Sequence, residues 1–73
     1  MDDMETIQIT AAMGAKLRKA REDRGLTQSE LAAIVDASRE QIDHYEKGEY
    51  GVAVSRLFDL VSELGMTIPD LFD

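Results

Sequence analysis

Within residues 38–48 the stretch SREQIDHYEKG gathers a guanidinium (Arg39), three carboxylates (Glu40, Asp43, Glu46), an imidazole (His44) and an ammonium group (Lys47). Two kinds of chemistry use such a set. Acid–base catalysis needs a nucleophile beside a base, or a carboxylate whose burial raises its pKa. Glu40 and Asp43, at i and i+3, read as solvent-exposed, and the single histidine shares their outward face, so catalysis is not expected. No phosphate-cradling Gly-x-x-x-x-Gly-Lys occurs either. The other chemistry is hydrogen bonding to base edges. The Arg39 fork matches O6 and N7 of guanine, and Glu40 can accept from N4 of cytosine, each good pair giving roughly 1–3 kcal/mol of discrimination. A short capped helix bearing these groups could lie in the major groove of DNA, although its own carboxylates would repel phosphate.

The elements that must position these groups are short helices. Ser38 followed three residues on by Gln41, and Thr27 followed by Glu30, are capping boxes that open two helices and satisfy otherwise orphaned backbone donors. A preceding helix runs from about Ala11 to Arg24, with Gly25 as its left-handed stop. Leu31, Ala32 and Val35 give the second helix its apolar face, Ile42 and Tyr45 that of the third, and Gly48 ends the third. Val54, Leu57, Phe58, Val61 and Leu64 mark a fourth helix at i, i+3, i+4, i+7 and i+10, closed by Gly65. Thr67 caps a last short helix through Phe72, with Pro69 in its first turn. The class is therefore all-α, five short helices over residues 11–73. Residues 1–10 form a flexible or extended arm in which TIQI alternates; if extended, Ile7 and Ile9 would pair with a second chain.

At 73 residues the chain allows one domain, burying only about 60% of the surface its unfolded form exposes. Association with a second copy would help to complete so small a core. There is no cysteine, and one histidine leaves no zinc set, so no metal or cofactor is expected. No apolar run approaches the ~18 residues of a membrane span, and the acidic MDDMETIQIT is unlike a signal peptide, so a cytoplasmic protein is expected. Net charge is −7, which argues against non-specific binding to phosphates. Residues 14–25 nonetheless carry +3, with Lys16, Arg18, Lys19, Arg21 and Arg24 against Glu22 and Asp23. Lys16, Arg18 and Lys47 are candidate phosphate contacts. Tyr50 is either a lid on the core or a donor to phosphate.

A small residue at Ala32 lets two helix axes cross closely, and Ile42 ten places later fills the space beneath, as in a helix-turn-helix. The run MGAKLRKAREDRGLTQSELAAIVDASREQIDHYEKG, residues 13–48, continued by RLFDLVSELGMTIPDLF, resembles the Cro/cI or XRE-type repressor domain of lambda-repressor-like fold, without a gap over residues 13–72. The resemblance implies a sequence-specific, homodimeric transcription regulator reading a near-palindromic operator in double-stranded DNA through its third helix. It implies that Gln28 bonds a phosphate beside Thr27 and braces that helix, and that Ser38, Arg39, Glu40, Asp43 and His44 form its outward face, with Arg39 and His44 where bases are read. Arg21 and Glu46 would form a partly buried ion pair, and Phe58, Met66, Ile68 and Phe72 a two-fold contact. The chain departs from the pattern at Asp36, where glycine is usual, at Glu49, where a lysine usually meets the backbone, and at Ala53, a poor N-cap. The acidic balance of residues 26–73 leaves an alternative on the same fold: an antitoxin-like module docking a basic, toxin-like protein, with auxiliary DNA binding.

Overall fold

Both capping boxes form as their spacing dictates. In a computed structural model, which describes residues 5–72, Thr27 Oγ1 accepts from Glu30 N at 3.0 Å while Thr27 N donates to Glu30 Oε1 at 2.8 Å. Ser38 and Gln41 repeat the exchange at 3.1 and 2.9 Å. These caps start α2 (Gln28–Ile34) and α3 (Arg39–Lys47). They follow α1 (Ala11–Asp23), which is opened by Thr10 accepting from Met13 N. Gly48, at φ 73°, ends α3. The fourth helix, α4, spans Val54–Glu63 and has no side-chain cap at Ala53. None of the helices is long and apolar enough to cross a membrane among the described residues.

The architecture is mostly helical rather than all-α. Thr6–Gln8 (β1) pairs antiparallel with Gly51–Ala53 (β2), Ile7 opposite Val52. The extended stretch thus finds its partner within its own chain. The pairing continues where Ile9 N donates to Tyr50 O at 3.3 Å and Val54 N to Glu5 O at 3.2 Å. Ile9 and Val52 lie in the core, at 0% and 1% exposure. The expected fifth α-helix is a 3-10 helix, Ile68–Phe72. Five residues with Pro69 near the start are too few to establish an i to i+4 ladder, and the segment is held instead by Asp70 N donating to Thr67 O and Thr67 N donating to the Asp70 carboxylate, at 3.1 and 2.8 Å.

One core joins all elements: Met13 and Leu17 of α1, Leu31, Ala32 and Val35 at α2, Ile42 and Tyr45 of α3, Leu71 of the 3-10 helix. From α4 it takes Leu57, Leu60, Val61 and Leu64, whereas Val54 and Phe58, expected on the same stripe, turn outward. The close approach of α1 and α3 depends on Gly14. A Cβ there would overlap the backbone carbonyl oxygen of Glu46, so neither helix can accommodate it without a shift of main chain. Gly14→Ala is therefore expected to cost about 1–3 kcal/mol as an overpacking change. Thermal unfolding should show Tm falling about 4–8 °C per kcal/mol, while Gly51→Ala, whose Cβ meets only ordinary contacts at 3.7 Å or beyond, leaves it nearly unchanged.

Candidate nucleic-acid interface

The turn between α2 and α3 sets how α3 is presented. Asp36 occupies the left-handed region at φ 58°, a conformation aspartate tolerates better than most residues. Ala37 N closes the turn on Ala32 O at 2.8 Å. A third group fixes it from outside: Arg56, on α4, donates through Nη1 to the carbonyl oxygens of Val35 at 2.8 Å and Asp36 at 3.1 Å. Sequence reasoning overlooks Arg56, because its acceptors are backbone atoms that no side-chain pattern displays.

Behind α3 lies a nearly buried ion pair. Arg21 Nε donates to Glu46 Oε2 at 2.6 Å and Nη2 to Oε1 at 3.1 Å, while Nη1 reaches Leu26 O at 2.8 Å. The hydrogen bond to Glu46, more than its Coulombic attraction, raises the pKa of Arg21 against the opposing effect of burial. Glu46 Oε1 also accepts from Gln28 Nε2 at 3.0 Å, and the same amide nitrogen donates to Asp43 Oδ1 at 3.1 Å. Its oxygen then accepts from Arg39 Nη1 at 3.0 Å. One glutamine, first in α2, is thereby oriented by two carboxylates of α3 and in turn holds the arginine that leads α3.

Lys47 extends this chain outward, pairing with Asp43 Oδ2 at 2.9 Å. Lys47 first, and Gln28 next, hold the Asp43 carboxyl below its ordinary range, and Asp43 raises the pKa of Lys47. The sign follows: stabilisation from this lowered carboxyl is present above the ordinary aspartate pKa of about 4 and is lost as pH falls through the lowered value. Arg39, Asp43 and Lys47 line a cleft of about 600 Å³ with Arg18, Arg21, Thr27 and Gln28. The structure therefore brings the predicted Gln28, Arg39, Asp43, Lys47, Thr27 and Arg18 to one face. Ser38 and Glu40 stand exposed at the start of α3, with the Ser38 hydroxyl engaged in its cap.

Arg18, at the edge of that cleft, is paired with Glu22 at 3.1 Å on the α1 surface. Other predicted residues take different positions. Lys16 Nζ donates to Asp70 O at 3.3 Å, tying α1 to the 3-10 helix, and does not line the cleft. His44 Nδ1 lies 2.6 Å from Glu49 Oε1, and its ring lies 4.4 Å from that of Tyr50, which is half exposed and not a core lid. Of the candidate two-fold contacts, Phe58 and Phe72 are 59% and 62% exposed, while Met66 and Ile68 are partly buried against the core.

A family described as helix-turn-helix matches residues 17–71. An uncharacterized transcriptional regulator in the ATPase CF(0) region of Rhodospirillum rubrum is 34% identical over 71 residues, which make up 96% of this chain and 66% of that protein. An uncharacterized HTH-type transcriptional regulator of Archaeoglobus fulgidus is 35% identical over 60 residues, 82% of this chain and 86% of that one. Among solved structures, the restriction-modification controller protein C.AhdI from Aeromonas hydrophila superposes with a TM-score of 0.78 at 27% identity, over 85% of this chain and 94% of its own. The chain spans just under two thirds of the Rhodospirillum protein and about half the length of some other curated relatives it matches.

The ion pair makes a prediction about stability. Glu46→Ala leaves the Arg21 charge buried and Gln28 without one of its acceptors, and should cost about 3–5 kcal/mol in urea denaturation. Replacing both partners, as Arg21→Met with Glu46→Leu, should cost less than the two single changes combined.

Proposed function

The chain belongs to the XRE-type helix-turn-helix family, and from that premise we propose that it is a sequence-specific DNA-binding transcription regulator, a binding protein rather than an enzyme, acting inside the cell. The observation that carries this reading is the route Arg21–Glu46–Gln28–Arg39, which fixes a guanidinium at the exposed start of α3 through neutral and ionic hydrogen bonds. With α3 in the major groove, Arg39 bonds guanine O6 and N7, Glu40 accepts from cytosine N4, and Gln28, Arg18 and Lys47 meet phosphates. Two copies joined through the exposed Phe58 and Phe72 and the flanking Met66 and Ile68 would place their α3 helices about 34 Å apart, on a near-palindromic operator.

A second reading on the same fold is favoured by one feature. Ile34, 49% exposed, borders a cleft of about 320 Å³ together with Asp36, Asp59 and Glu63, a lining suited to a cationic, partly apolar segment of a protein partner. A basic protein purifying with this chain at fixed stoichiometry, and released by Asp59→Lys, would support that docking role; a dimer that binds DNA alone and captures no partner would remove it.

The regulator reading is tested by titrating the dimer against DNA from its own upstream region and against scrambled DNA. Preference for the former is expected, with a shallow salt slope no steeper than about −5, because each phosphate contact contributes about −0.9 and each protomer offers few cations. Arg39→Ala should leave thermal unfolding unchanged and relax discrimination at one position per half-site by roughly 1–3 kcal/mol. No preference by the wild type over bulk DNA would sink the proposal.

A further inference from the structure

We propose that Glu49 and Tyr50 fix His44 as a hydrogen-bond acceptor toward the groove, so that it selects a base with an exocyclic amino group, adenine N6 or cytosine N4, and rejects guanine. The inference rests on the reading of α3 as the groove-facing helix. Three residues combine here: His44, expected at a base-reading position, an acid beyond the end of α3, and the tyrosine after it.

The chemistry follows from one distance. His44 Nδ1 lies 2.6 Å from Glu49 Oε1. An ionised carboxylate can only accept, so Nδ1 carries the proton, and in the neutral ring the other nitrogen, Nε2, is then a bare acceptor. The ring is also held from its face, with its centroid 4.4 Å from that of Tyr50 and the planes tilted by 31°, which limits its rotation. The His44 side chain is 34% exposed, and Nε2, which has no hydrogen-bond partner among the described residues, is not fully buried. A bare nitrogen at the groove face can receive a hydrogen bond from the amino group of adenine or cytosine. Toward N7 or O6 of guanine it would set one acceptor against another.

This departs from what an isolated histidine offers. Without Glu49 the imidazole populates the alternative form with the proton on Nε2, a donor that fits guanine. Glu49, a residue that would otherwise merely repel phosphate, thus acts through His44 as a positioning residue for specificity.

The test has a part that needs no DNA. A long-range ¹H–¹⁵N spectrum of the free protein at pH 8 should show His44 Nδ1 protonated and Nε2 bare, and Glu49→Ala should shift the population toward protonated Nε2. Selection from a randomised half-site should then give, for the wild type, adenine or cytosine over guanine at one position by about three- to tenfold, the value of a single hydrogen bond. His44→Ala should lose that preference alone, and Glu49→Ala should admit guanine there while keeping the positions read by Arg39. Protonated Nε2 in the wild type, or an unchanged preference in Glu49→Ala with selection elsewhere intact, overturns this assignment only. No selection by the wild type at any position overturns the regulator reading and this assignment with it.

Discussion

The bidentate contact between Arg21 and Glu46 is the constraint on which the arrangement of three helices depends. It joins α1 to the last turn of α3, where Gly14 already brings the two backbones together. The third arm of the guanidinium holds Leu26 O, the carbonyl just ahead of the α2 cap, and the second lone pair of Glu46 Oε1 holds Gln28. The side chains are 9% and 5% exposed, so both charges have lost most of their water. Desolvation at that depth offsets much of the Coulombic gain, and an apolar pair of similar volume could pack as well. What an apolar pair could not supply is direction. It would leave Gln28 held by Asp43 alone, and the amide oxygen that holds Arg39 would be less firmly placed.

That pair also explains how an acidic chain can carry the helix proposed to face the groove. Of the three carboxylates on α3, Glu46 is turned inward onto Arg21, and Asp43 is divided between Gln28 and Lys47. Only Glu40 stands on the exposed first turn without such a role. The acid that follows α3, Glu49, is turned onto His44. Negative charge on this face therefore orients the donors, and three further acids, Asp36, Asp59 and Glu63, lie along a different cleft.

The features legible in the sequence are those determined within a few residues. Both capping boxes lie within four positions and need only side chain and backbone of one turn, so their spacing announces α2 and α3. The left-handed turn at Asp36 and the stop at Gly48 are equally local. The Arg21–Glu46 pair, 25 residues apart, was reached only through the family resemblance. Non-local features escaped. The β1–β2 ladder joins two three-residue strands some 45 positions apart, too short to show a period, and it carries Ile9 from an apparent arm into the core. On α4 the apolar stripe is wider than the arc that meets the core, so Val54 and Phe58 face out while Leu60, off the stripe, is buried. Arg56 and the His44–Glu49–Tyr50 cluster depend on side chains meeting across a turn, which composition does not reveal.

The internal pairing of Lys47 has a consequence for how affinity and specificity divide. In the free protein Lys47 and Gln28 are already bonded to the Asp43 carboxylate, so engaging a phosphate exchanges one anionic partner for another. On the proposed reading, the net gain from each such exchange would be small, and non-specific binding, which is driven by newly neutralised phosphates, would be weak. Arg39 differs. Among the described residues its only hydrogen bond is to a neutral amide oxygen through Nη1, which leaves Nε and Nη2 for a bidentate contact. A base edge that fits those donors is met without giving up an ionic partner, while a wrong base leaves them unpaired in a desolvated groove. On that reading, weak phosphate binding and an unspent arginine would act in the same direction: both would raise the ratio of specific to non-specific affinity, the quantity that decides occupancy among the many competing sites of a genome.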